Sequence, residues 1–179
     1  MIKNINNFTF LWYNCSKLGE NMNKYIKEAI NLSKRFLKNR KYGPFGACVV
    51  KNGKIIGRGS NSVVKNNDPT AHAEIVAIRN ACKKIKSYDL SGCELYTSCY
   101  PCPMCMSAII WANIKMVYYD NTKKDAANIG FKDDFIYEYI KTLMDGKSNA
   151  KVLKLKSLNR TEAIKVFKTF AKQKNKIIY

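Results

Sequence analysis

Histidine is nearly missing from this chain: 179 residues hold one, His72, so any imidazole chemistry must run through that position. Acidic residues are also scarce, 13 against 32 lysines and arginines, for a formal charge of +19. A balance of that kind invites a polyanionic partner, yet the lysines are spread along the whole chain. There is no concentrated tract and no arginine-rich stripe of the sort that tracks a phosphate backbone, and the C-terminal part is the most basic. Long apolar runs are absent too. The longest uncharged one, around "MSAIIWANI", is too short to cross a bilayer, which excludes a spanning helix. No Gly/Ser-rich or Pro-rich linker and no internal repeat interrupts the sequence, and the length suits one domain with one core.

What is present is unevenly distributed. Seven cysteines occur, and "PTAHAEIVAIRNACKKIKSYDLSGCELYTSCYPCPMC" gathers five of them with the single histidine. The opening "MIKNINNFTFLWYNCSKLGEN" lacks an uninterrupted apolar h-region and a small-residue cleavage site. Residues 1–21 therefore read as a flexible N-terminal extension, and 22–179 as the functional domain. A cytoplasmic, reducing location follows, in which clustered thiols serve as metal ligands more than as disulfides.

Apolar spacing predicts a helix from Met22, carried by Tyr25, Ile26, Ala29, Ile30, Leu32, Phe36 and Leu37. "GPFGACVVKNGKIIGRGSNSV" predicts a hairpin turning at Asn52-Gly53. After "NNDPT", the segment "AHAEIVAIRNACKKI" is helical, "CELYTS" a strand, "PMCMSAIIWAN" a helix and "KMVYYD" a strand. "DDFIYEYIKTLMDG" reads as a helix, "KVLKLKS" as a last strand and "NRTEAIKVFKTFAKQKNK" as a closing amphipathic helix. Strands alternating with helices predict an α/β layer fold.

His72, Cys102 and Cys105 offer one imidazole and two thiolates, a set suited to tetrahedral Zn2+. Three protein ligands leave a fourth place. A structural site closes it, here with Cys99, while a catalytic site keeps it for water and makes a nucleophile near neutral pH. Cys102 and Cys105 are three apart at a predicted helix start and can face the same way. Glu74 stands two residues beyond His72, a spacing that brings both to one centre only around an irregular first turn. The combination of His-x-Glu with a later Pro-Cys-x-x-Cys favours the open site, because it is the signature of zinc-dependent base deaminases, with the glutamate as proton shuttle.

The blocks "GPFGA", "NDPTAHAE", "AIRNAC", "LYTSC", "PCPMC", "AIIWA", "DAANIGF" and "DFIY" together resemble the cytidine-deaminase-like superfamily, and within it the bacterial-type guanine deaminases. The resemblance covers roughly residues 22–140. It implies a three-layer α/β/α sandwich around a mixed five-stranded sheet, and conversion of guanine and water to xanthine and ammonia. It implies His72, Cys102 and Cys105 as zinc ligands and Glu74 as the proton shuttle. Asp133 would contact the amino group and help move protons. Asn61, Phe45, Ala73 and Trp111 would contact the base, and Tyr179 would cover the site from a partner chain, in a homodimer that exchanges C-terminal segments or uses them as a lid. The expected partner is thus a small purine base and no membrane. A nucleic acid enters only under the alternative of a tRNA adenosine deaminase, and cytosine or cytidine deamination is a further alternative. Tyr100 departs from the pattern, standing where the superfamily commonly has glutamate.

Overall fold

The computed structural model describes residues 24–35, 38–147, 151–158 and 160–178. The proposed extension 1–21 and Tyr179 lie outside the described residues. The chain divides into two compact units, residues 1–132 and 133–179. Neither the composition nor any linker sequence announces that division.

In the first unit, helix α1 (residues 24–34) is followed by strands β1 (Gly46–Lys51) and β2 (Lys54–Ser60) and the short α2 (Val63–Asn66). Helix α3 (Ala73–Ile85), β3 (Cys93–Cys99), α4 (Pro103–Trp111), β4 (Met116–Asn121) and α5 (Lys123–Asn128) complete it. The hairpin turns at Asn52 and Gly53, both with positive φ, as the Asn-Gly pair requires. The sheet is mixed and runs β2-β1-β3-β4, with β1 antiparallel to both neighbours and β3 parallel to β4.

Alternation along the strands sorts the core onto two faces. Ala47, Val49 and Leu95 join Ala73, Ala77, Ile78 and Ala81 of α3 and Ile109 of α4. Cys48, Val50 and Tyr96 join Tyr25 and Leu32 of α1. Helices thus cover both faces of the sheet, and α3 and α4 share one.

The tightest contact lies between α3 and β2. Ala73, Ala77 and Ala81 are spaced four apart, so they form one stripe. Opposite them stand Gly57 and Gly59. A Cβ on Gly59 would overlap the carbonyl oxygen of Ala73, and one on Gly57 that of Ala77. The obstacle in both cases is backbone, which cannot swing aside as a side chain can.

Register then fixes where the helices begin. Ala47 of β1 pairs with Gly59 on one side and Thr97 on the other, both antiparallel. Strands β2 and β3 consequently end at the same edge of the sheet. The chain leaves both there, and the starts of α3 and α4 meet at that edge.

The expected five-stranded sheet is not found, because the sheet among the described residues has four strands. Residues 151–158, expected as the fifth, form a turn and an irregular exposed segment of the second unit. A strand exists only where a neighbour takes up its backbone groups. Here the Leu153 carbonyl accepts a hydrogen bond from the Tyr139 hydroxyl of α6 (Asp134–Met144) instead, at 3.0 Å. The alternation of Leu153 and Leu155 with lysines is a period-2 pattern that no strand pairing uses among the described residues. The second unit also contains α7 (Thr161–Ala171), as expected.

Gly59→Ala is expected to destabilise the protein by about 3 kcal/mol, the upper end for overpacking, since helix backbone must retreat. Urea titration of the variant against the parent checks this; an unchanged midpoint would mean that α3 is not held against β2 as described.

Candidate active site

The two helix starts present their side chains to one small volume. His72 is the N-cap of α3, with extended backbone (φ −67°, ψ 158°), and Glu74 lies within the first turn. That break in helical geometry brings residues two apart to the same side. Cys102 is likewise the N-cap of α4 (φ −68°, ψ 168°), Pro103 begins the helix, and Cys105 follows within its first turn. Each helix directs its positive dipole end at the thiols, which favours thiolate.

His72 Nδ1 lies 3.5 Å from Cys102 Sγ and 3.6 Å from Cys105 Sγ. All three ligand atoms fall within 4.8 Å of one another. Tetrahedral zinc, with Zn–S of about 2.3 Å and Zn–N of about 2.0–2.1 Å, sets its nitrogen and sulfur ligands about 3.6 Å apart. The residues therefore fit zinc, through Nδ1. A hydrogen bond from Cys105, and then one with His72, holds the Cys102 thiol down to about 4, so the cluster carries a thiolate of the kind that a metal takes.

Cys99 does not belong to this group. Its thiol donates to the Thr122 carbonyl at 3.6 Å, and the metal-binding group among the described residues consists of His72, Cys102 and Cys105 alone. A metal held by these three side chains would have its fourth place free, the arrangement of a catalytic site.

Glu74 is buried beside Cys105. The Cys105 thiol donates to its Oε2 at 3.5 Å and the Thr97 hydroxyl to its Oε1 at 2.9 Å. Burial raises its pKa, opposed by hydrogen bonds from its own amide and from Thr97. A carboxyl so placed can receive and return a proton.

These features accord with the family comparisons. The model of the cytidine and deoxycytidylate deaminase zinc-binding region matches residues 20–121. The chain belongs to this deaminase family. It is 43% identical over 159 residues to guanine deaminase of Bacillus subtilis (strain 168), covering 89% of this chain and 99% of that protein. It is 40% identical over 131 residues to the tRNA-specific adenosine deaminase of Buchnera aphidicola subsp. Schizaphis graminum, covering 73% of this chain and 82% of that protein. The X-ray structure of the Bacillus subtilis guanine deaminase superposes with a TM-score of 0.80 at 42% identity, over 88% of this chain and 98% of that one. Zinc is accordingly the cofactor of this family member, a hydrolase of C–N bonds.

Of the remaining residues named from the sequence, Asn61 and Phe45 meet near the cluster. The Asn61 amide donates to the Phe45 carbonyl (3.0 Å), and the next amide, of Ser62, donates to the Ala71 carbonyl (2.8 Å), beside His72. The Ala73 side chain is buried in the core and its carbonyl lies against Gly59, which leaves its amide, in the first turn of α3, as the group it can offer. Trp111 ends α4, roughly 13 Å along the helix from Cys102 by helical rise, with 66% of its surface exposed. Asp133 is the N-cap of α6 in the second unit, and its side chain makes no capping hydrogen bond. Tyr100 turns its ring edge-on to Tyr119 (5.0 Å between centroids), with the Lys123 ammonium 5.0 Å from its centroid.

Two residues went unassigned in the sequence. Thr97 contacts Glu74, and Phe131 packs edge-on to Phe45 at 4.8 Å. Thr97 had a legible signal, a polar residue at a core-facing position of an apolar strand. Phe131 had none.

Metal analysis of variants tests the open site. Cys105→Ala is expected to lose zinc, whereas Cys99→Ala retains one zinc per chain; loss of zinc from Cys99→Ala would restore the closed four-ligand arrangement.

Proposed function

We propose that this chain hydrolyses guanine to xanthine and ammonia. The observation that carries the reading is a likeness running over 99% of a guanine deaminase, while the similar tRNA-specific deaminase is covered to 82%.

Zinc held by His72, Cys102 and Cys105 supplies Lewis-acid activation of water. Glu74 takes a proton from the attacking water and delivers it to the leaving amine. A carbon–oxygen bond forms at the ring carbon bearing the 2-amino group, the carbon–nitrogen bond breaks, and ammonia departs. Desolvation of Glu74 suits this task, because a carboxyl with a raised pKa takes a proton from water more readily than an exposed one.

Asn61, Phe45 and the amide of Ala73 take the base, a reading supported by their positions around the loop that bears His72. Asp133 contacts the amino group and assists proton transfer, and Tyr179 covers the base from a partner chain. A homodimer with exchanged C-terminal segments is supported by the apolar side chains that α7 exposes, Val166 and Phe167 among them. Residues 22–179 form the deaminase domain in this reading, and its location is cytoplasmic. No helix among the described residues is long and apolar enough to cross a membrane.

Ammonia release from guanine, measured beside adenine, cytosine, cytidine and unmodified tRNA, tests the substrate. Guanine is expected to be turned over; tRNA as the only productive substrate would replace this reading with the adenosine deaminase and give the +19 charge a purpose. Glu74→Gln is expected to keep zinc and lose at least about a hundredfold in kcat, the usual share of a proton shuttle. Near-normal turnover would remove that role. Asp133→Asn should spare zinc and slow guanine turnover, and an unaffected rate would return Asp133 to an ordinary helix start.

A further inference from the structure

The carboxylate of Glu74 is useful only if one oxygen faces the reacting atoms and stays there. Among the described residues, two side chains hydrogen-bond to it: Cys105 at Oε2 and Thr97 at Oε1. They are not equivalent. A cysteine that ligates zinc does so as thiolate and has no proton left to donate. With the metal in place, the hydroxyl of Thr97 remains as the side-chain donor.

Thr97 is well built for this. It is fully buried on β3, between Leu95 and Cys99 on the face that meets α3. Its backbone is held on both sides, pairing with Ala47 of β1 and Tyr119 of β4. The branched Cβ leaves few rotamers open. An apolar residue would be the ordinary occupant of such a place, since a buried hydroxyl is tolerated only when satisfied. Here its partner is the carboxylate of Glu74, reached across 23 residues of sequence.

We infer that Thr97 is a positioning residue for the deamination: its hydroxyl ties down Glu74 Oε1 from the sheet side and leaves Oε2 to exchange the proton. This rests on the proposed role of Glu74. A bidentate-like freedom to rotate would otherwise let the side chain present either oxygen or neither, and positioning within a few tenths of an ångström governs proton transfer.

Thr97→Val and Thr97→Ser separate this role from simple packing. Valine keeps the shape and removes the hydroxyl, while serine keeps the hydroxyl and removes a methyl. Thr97→Val is expected to lower kcat roughly tenfold to a hundredfold, the scale of a hydrogen bond to a charged group, with KM within about twofold and zinc still one per chain. Thr97→Ser is expected to restore most of kcat despite being the less well packed. Wild-type kcat in Thr97→Val, or an equal loss in both variants, would overturn the proposal while leaving the guanine reading intact.

A second measurement does not depend on substrate. In the zinc-loaded protein, Thr97→Val should lower Tm by about 3 °C or more when Glu74 is present, and leave it unmoved or raised in a Glu74→Ala background. Additive shifts in that cycle would overturn the proposed tie. Should guanine itself prove not to be a substrate, this cycle still decides whether Thr97 holds Glu74.

Discussion

Helix α3 lies on the backbone of strand β2, and the site depends on that contact. Glycines at 57 and 59 and the alanine stripe at 73, 77 and 81 remove every side chain that would keep the two apart. Close packing of this kind leaves little freedom to slide or tilt, because each atom of the helix face already sits in contact with the strand. The first residue of α3 is therefore fixed to within the precision of the sheet. His72 and Glu74 inherit that precision.

Electrostatics at the same edge follow from topology. Two strands antiparallel to β1 end side by side, and two helices start there, so two positive dipole ends converge. At that edge a hydrogen bond from Cys105, and then one with His72, pulls the Cys102 thiol down, while Cys105 itself is pushed up. The carboxyl of Glu74 responds differently, because it is buried deeper in the same neighbourhood and desolvation outweighs its hydrogen bonds. One group is held ionised for the metal and its neighbour is brought closer to exchanging a proton. That division of labour comes from hydrogen bonds at Cys102 and from burial at Glu74, which spacing along the chain does not encode.

Much of the local structure was legible. The Asn52-Gly53 hairpin, the helix after "DPT" and the strand at "CELYTS" occur where periodicity and turn residues put them, and the helix expected over "PMCMSAIIWAN" ends two residues earlier, at Trp111. The failure was "KVLKLKS". Its alternation is what a half-buried strand shows, but pairing needs an edge, and Tyr139 occupies the Leu153 carbonyl instead. The division at Asp133 was likewise invisible, since "IGFKD" has neither the length nor the composition of a linker. Trp111 was named from resemblance, and its place at the far, exposed end of α4 follows from helix length, which "AIIWA" alone does not state.

The sequence by itself determined the chemistry of the centre: one imidazole and two thiols at helix starts, with a glutamate two residues from the imidazole. Ligand type and local spacing are properties of neighbouring residues, and those survive in a linear string. Only the tertiary structure decided that Cys99 turns to Thr122, away from the His72, Cys102 and Cys105 group, and that Thr97 reaches Glu74. Both are contacts across 23 residues, set by the register of β3 against its neighbours and by the seating of α3 on two glycines. Register is a relation between strands, so no single segment contains it.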